Sequence, residues 1–170
     1  MSEDLAQTLP SVGKPNSQHV RRGPLRVGDN PVVSSANLDL VRSIYAAWER
    51  GDFHWIDWAH PEIRYANADG PAPSQRTGVD EMTAAFRDYI SAFENWGVVA
   101  EDFLDLGGEG VLVSFHQTGR GKASGIDLKH FNATGATLFK LSGGKVTEIA
   151  QYSDRHRALA DLGLAPDTGT

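Results

Sequence analysis

Hydrophobic positions recur at three- and four-residue spacing from residue 38, where Leu38, Val41, Ile44, Tyr45 and Trp48 share one face. That spacing predicts an amphipathic helix opening at "SSANLDLVRS", with Ser35 or Asn37 as its cap and Gly51 as its stop. A short second helix is expected over 53–60, ended by Pro61. "EIRYANADGPAP" (62–73) then alternates as a strand: Ile63, Tyr65 and Asn67 lie on one face, Arg64 and Ala66 on the other, and a Gly/Pro loop follows. Residues 78–95 carry a second amphipathic stripe of Met82, Ala85, Phe86, Tyr89, Ile90 and Phe93, with Asp80 placed to cap it. Four strand-like runs come next, at 96–106, 110–119, 126–141 and 145–153, with "GGEG" and "SGG" as hairpin turns. Residues 153–163 close the pattern as a short helix between Asp154 and Gly163.

Helices segregated from a mostly antiparallel sheet define an α+β layer fold. The expected architecture is a cone-shaped curved sheet packed against about three helices, plus a short C-terminal helix. Residues 1–33 hold four of the eight prolines and no period of 2 or 3.6, and read as a flexible arm; 34–164 form one domain and 165–170 a flexible tail. A curved sheet covered by helices leaves a concave, mostly apolar hollow, the usual form of a small-molecule site.

Composition narrows the function. The net charge of −6 and pI near 5.4 argue against nucleic acid as a partner, since phosphate binding needs a basic face. No apolar run approaches the roughly 18 residues of a membrane helix. No secretion signal opens the chain, so a cytoplasmic location is the default expectation. Cysteine is absent, which excludes disulfides, thiolate metal sites and a cysteine nucleophile. Six scattered histidines form no ligand spacing, and "GRGKASG" (119–125) lacks the Lys-Ser/Thr ending of a phosphate loop, so no metal or cofactor is expected.

The element order, with "YAAWERGD" (45–52), "HPEIRY" (60–65), "RTGVDEM" (76–82) and "GGKVTEIAQYSDR" (143–155), resembles the nuclear-transport-factor-2-like (cystatin-like) superfamily and, within it, the SnoaL-like polyketide-cyclase group. The resemblance spans about residues 37–164. It implies a pocket for a small apolar or aromatic molecule, and a homodimer formed through the sheet. Tyr65-Ala66-Asn67 is similar to the Tyr-x-Asn that helps hold the attacking water in limonene-epoxide-hydrolase-like enzymes. The carboxylates of that family are not matched: the corresponding positions read His116-Gln117-Thr118 and Gln151. Tyr45 resembles the oxyanion donor of ketosteroid-isomerase-like enzymes, but their general base is replaced by Asn67 and their second Asp falls near Thr137.

On strand 110–119, Val111, Val113, Phe115 and Gln117 face one way, and Leu112, Ser114, His116 and Thr118 the other; the resemblance places the His116 face toward the cavity. Histidine titrates nearest neutrality, so His116 is the expected acid/base, with Tyr65 and Asn67 holding water and completing the catalytic set. Tyr45, Met82, Phe86, Tyr89, Thr118 and Gln151 are the expected binding residues. Asp69, at the pocket mouth, and His130 are secondary catalytic candidates. Three functions remain open at this point: a cofactor-free isomerase, cyclase, lyase or hydrolase acting on an apolar or polyketide-like substrate; a non-catalytic ligand-binding module; or a dimeric interaction module.

Overall fold

The structure is a computed structural model that describes residues 19–22, 31–69, 74–108, 110–131 and 133–164. The first helix, α1 (Pro31–Glu49), buries Leu38, Val41, Ile44, Tyr45 and Trp48, the stripe its spacing predicts. It begins earlier than expected, with Pro31 at the first helical position, where the missing N–H is no loss. Ser35 and Asn37 therefore lie within the helix rather than capping it. The Asn37 side chain is buried and its Nδ2 donates to the Gly108 carbonyl (3.2 Å), fastening the helix to a hairpin.

The sheet contains β1 (His19–Arg22), β2 (Ala59–Asn67), β3 (Ser74–Thr77), β4 (Phe93–Asp105), β5 (Gly110–Gly121), β6 (Thr134–Ser142) and β7 (Lys145–Tyr152). Their order across it is β1-β4-β5-β6-β7-β2-β3. Strands β4 to β7 form an antiparallel meander; β2 joins β7 in parallel and folds back through β3, while β1 runs parallel to β4. Thus His19–Arg22, within the stretch read as an arm, forms an edge strand. The rest of that stretch (1–18 and 23–30), the tail 165–170 and Asn132 lie outside the described residues.

Two further segments depart from the sequence reading. Residues 53–58 are irregular, ending in a turn at 57–58, rather than a helix: Pro61 biases its predecessor toward extended backbone, so Ala59 and His60 enter β2 and Ala59 pairs with Val146. Residues 126–131 are not strand. Asp127 accepts from the Lys129 N–H (2.9 Å) through its side chain and from the His130 N–H (3.1 Å) through its carbonyl, winding Leu128–Phe131 into a short 3-10 turn. The second helix, α2 (Val79–Ser91), has Gly78 at its N-cap with Asp80 in the first turn, and Phe93, read as helical, instead opens β4. The expected "SGG" hairpin joins β6 to β7, with Gly143 (φ 59°) and Gly144 (φ 77°) in the left-handed region a tight two-residue turn requires.

The sheet buries both faces. Val98, Ala100, Phe103, Val111, Val113, Phe115, Phe139, Leu141, Val146 and Ile149 meet α1 and neighbours on the inner side. Leu112, Ala136, Leu138, Ala150 and Tyr152 lie in a second cluster with Ala158 and Leu159 of α3 (Arg155–Asp161), the C-terminal helix, which covers the outer side. Register shifts at Ala100/Asp102 on β4, at Val146/Glu148 on β7 opposite Lys140/Leu141, and at Ala59/Arg64 on β2 break the period of two; such irregularities bend strands. No helix among the described residues is long and apolar enough to cross a membrane.

Gly135 of β6 leaves no room for a side chain. A Cβ there would stand 2.5 Å from the Tyr152 carbonyl oxygen and 2.8 Å from the Phe115 ring. A backbone atom cannot step aside as a flexible side chain does. Gly135→Ala is therefore expected to cost about 1–3 kcal/mol and to lower the melting temperature by several degrees; a thermal melt followed by circular dichroism reads the shift, and an unchanged midpoint would contradict this packing.

Candidate functional site

Between the inner face of the sheet and the helices lies a cavity of about 390 Å³, within the size range of small-molecule pockets. Its deep end is aromatic. Tyr65 of β2 meets Phe86 of α2 at 5.0 Å between ring centroids, and Phe86 in turn meets Trp48 of α1 at 5.5 Å. The second helix is amphipathic, so Phe86 and Ala85 line the hollow while Asp88 and Tyr89 reach its mouth. Tyr89 stands edge-on to Trp96 of β4, and Phe53 packs on the other side of Trp96 (5.6 Å).

Several expected residues line this cavity together: Tyr45, Tyr65, Asn67, Phe86, Tyr89 and Gln151. Asn67 and Gln151 are direct register partners on the parallel β2/β7 pair, so their amides stand side by side. Met82 is not at the cavity surface; it is 2% exposed within the core cluster, because its place on α2 is one turn deeper than Phe86.

His116 and Thr118 require a larger correction. The alternation of β5 holds as predicted, but Phe115 and Gln117 face the cavity, so His116 and Thr118 face away from it. His116 Nδ1 is 2.9 Å from Glu101 Oε1, on a partly exposed pair outside the hollow. The reason is burial: Val111, Val113 and Phe115 are the more apolar set and belong with the main core, which carries Gln117 inward with them. His130 lies exposed on the 3-10 turn, away from the cavity.

Gln117 is the functional candidate that sequence reasoning missed. Its Oε1 accepts from the Tyr89 hydroxyl (2.6 Å) and from Trp96 Nε1 (2.9 Å). A signal existed in the sequence, since Gln117 shares the Val111–Val113–Phe115 face. Arg76 of β3 and the loop residue Asp69 also reach the rim. Asp69 is held firmly: Oδ1 accepts from the Ser153 N–H (2.7 Å) and hydroxyl (3.0 Å), and Oδ2 from the Asp154 N–H (3.0 Å). Asp154 in turn caps α3 by accepting from the His156 N–H.

At the deep end a chain of hydroxyls runs from α1 across the sheet. The Tyr45 hydroxyl donates to Thr137 Oγ1 (3.0 Å), and Thr137 donates to Gln151 Oε1 (2.9 Å). Thr137 is fully buried and Tyr45 1% exposed, so the phenol has to spend its proton within the protein, and Thr137 passes its own proton onward.

Burial raises the pKa of all four tyrosines. Tyr65 is pushed up to about 12 by desolvation, with Tyr89 adding to the shift and Arg76 opposing it. Tyr45 is raised further by its complete burial, against the opposing hydrogen bond to Thr137. Desolvation raises Tyr89 and Tyr152 as well. All four are therefore neutral phenols near pH 7: they can donate hydrogen bonds and cannot act as bases. Among the described residues no group of three or more His, Cys, Asp or Glu could hold a metal ion.

The sequence model of the SnoaL-like domain matches residues 41–149, and the chain belongs to that family. A candidate SnoaL-like polyketide cyclase from Jannaschia sp. CCS1 is similar in structure, with 21% identity, a TM-score of 0.60, and coverage of 85% of this chain and 100% of that one. An NTF2-like protein of unknown function from Burkholderia pseudomallei K96243 shares 18% identity at a TM-score of 0.60, covering 74% of this chain and 95% of that one. A protein with a cystatin-like fold from Xanthomonas campestris shares 16% identity at a TM-score of 0.55, with 68% and 88% covered. These likenesses establish the fold, as the sequence reading expected. No curated protein matches the chain.

Two outcomes are expected from this site. A Tyr with a raised native pKa keeps its proton where the unfolded chain has lost it, so stability falls as pH rises from about 10 toward 12. Absorbance at 295 nm should show the native tyrosines ionising well above the midpoint of the urea-unfolded protein; coincident titrations would contradict their burial. Separately, Thr137→Val removes the acceptor of a buried phenol and the donor to Gln151, and should cost about 1–3 kcal/mol. Because Tyr45→Phe removes the same bond from its other end, the double variant should cost less than the two singles summed in denaturant melts.

Proposed function

We propose that the protein binds one small, mostly apolar molecule in the cavity between its sheet and helices. The observation that carries this reading is the aromatic hollow itself, in which Tyr45, Tyr89, Gln117 and Gln151 are fixed by their own hydrogen bonds. Hydrogen-bonded phenols and amides orient a ligand; they do not abstract protons near neutral pH. With His116 on the other side of the sheet, binding takes precedence over the proton-transfer role first expected of it.

A catalytic reading, as a cofactor-free isomerase, cyclase, lyase or hydrolase of a polyketide-like substrate, is favoured by one observation. Asp69 is a carboxylate fixed at the rim, near Asn67, and three donors leave about one of its lone-pair sites free for a proton or a water. In that reading Asp69 replaces His116 as the base. A homodimer through the sheet, expected from the family resemblance, would use the strip beside α3 around Val99 and His116, since α3 of the same chain packs on Leu112, Leu138 and Ala150.

The test uses 2-methylnaphthalene, a hydrocarbon of suitable size. It should raise the melting temperature in a saturable way; binding at a hundredfold excess over Kd would contribute about 2.7 kcal/mol. Ala85→Phe, which fills the hollow, should abolish the shift while the chain still folds. Absence of stabilisation both by this hydrocarbon and by a carbonyl-bearing ring of the same frame, or an equal shift in the filled variant, would refute a ligand-binding cavity.

A further inference from the structure

The amides of Gln117 and Gln151 have fixed orientations, and both turn the same chemical end to the open space. Trp96 Nε1 can only donate, so the group of Gln117 facing it must be the carbonyl oxygen, which the Tyr89 hydroxyl also occupies. Gln151 is fixed from the other end. The buried Tyr45 phenol donates to Thr137, Thr137 donates to Gln151 Oε1, and reversing that chain would strand the phenol proton. In both residues the oxygen is committed and the Nε2 amino group has no hydrogen-bond partner among the described residues. Neither Nε2 is a fully buried unpartnered atom, and both residues line the cavity.

The rest of the polar lining leans the same way. The Tyr65 hydroxyl makes no hydrogen bond among the described residues and is held as a neutral phenol, a ready donor. Arg76 contributes a guanidinium at the rim, partly engaged with Glu81 at 3.4 Å. The acceptors are fewer. Asp69 is engaged by three donors, Asp88 is an exposed residue at the mouth, and Asn67 can turn either end of its amide. Gln117 and Gln151 are also well separated. Gln151 pairs with Thr137 and Thr137 with Val113, so Gln117 stands two strands across and four residues along, roughly 16 Å away at the backbone.

Resting on the ligand-binding reading above, we infer that the cavity selects a neutral, flat, largely apolar ligand bearing carbonyl oxygens at two separated positions, one held by Gln117 Nε2 and the other by Gln151 Nε2. Ring faces supply the apolar contact with Phe86 and Tyr65, and the amides read the oxygens. An amine or other donor-bearing ligand of the same shape would leave the Nε2 groups without acceptors and oppose donor to donor.

Three probes of one ring frame test this on the full chain: menadione, a neutral diketone; 2-methylnaphthalene, without acceptors; and 1-aminonaphthalene, with a donor. The absence of cysteine removes thiol addition to the quinone as a complication. Menadione is expected to bind about tenfold more tightly than 2-methylnaphthalene, and 1-aminonaphthalene no better than the hydrocarbon. Gln117→Glu keeps an oxygen for Trp96 and Tyr89 while removing the amino group; it should cut the menadione-to-hydrocarbon preference severalfold. Gln151→Glu should do the same, with Gln151→Met as a second variant where the added charge disturbs folding. His116→Ala, on the far face of the sheet, should leave the preference intact. Equal affinity for all three probes, or a preference that survives both glutamine substitutions, overturns the inference and leaves the ligand-binding reading standing. Binding of none of the three overturns both.

Discussion

One sheet with apolar groups on both faces is the constraint from which the architecture follows. Leu112, Leu138 and Ala150 point outward from the same strands that send Val113, Phe139 and Ile149 inward. Water cannot be left on either side, so α1 and α2 cover one face and α3 the other. Bulges on β2, β4 and β7 allow the strands to curve around the inner helices rather than lie flat against them. The space that aromatic side chains leave unfilled at one end of that concavity is the cavity.

The same arrangement explains why Thr137, Gln151 and Gln117 are so strongly fixed. Each sits on a strand facing the helices, and each must bond within the protein or face the hollow. Thr137 on β6 lies between Tyr45 on α1 and Gln151 on β7, linking helix to sheet through two protons. Gln117 is clamped by two donors from α2 and β4. Preorganised groups of this kind lower the ordering cost of binding.

Much of this was legible in the sequence, because periodicity reports burial. The stripe of α1, most of α2, the glycine hairpin at 143–144 and the strand face shared by Ile63, Tyr65 and Asn67 all follow from spacing and turn chemistry. The less legible parts had two causes. Local signals were outweighed by neighbours: Trp58 and Ala59 looked helical until Pro61 and pairing with β7 drew the chain straight, and "IDLKHF" looked extended until the Asp127 side chain turned it. The assignment of the β5 faces failed differently. The alternation itself was correct, but the choice of inner face was taken from a distant likeness, although Val111, Val113 and Phe115 already marked the side that had to be buried. Gln117 was overlooked for the same reason. The Tyr45–Thr137 bond spans 92 residues, and local periodicity could not reveal it.

The Asp69 carboxylate has a mechanical consequence. It clasps the turn that leads from β7 into α3, and that turn carries the residue capping the helix. One side chain thus ties the lip of the hollow to the start of the helix on the reverse side of the sheet. A displacement of Asp69 would pull on the root of α3, so the two sides of the sheet are yoked at one corner.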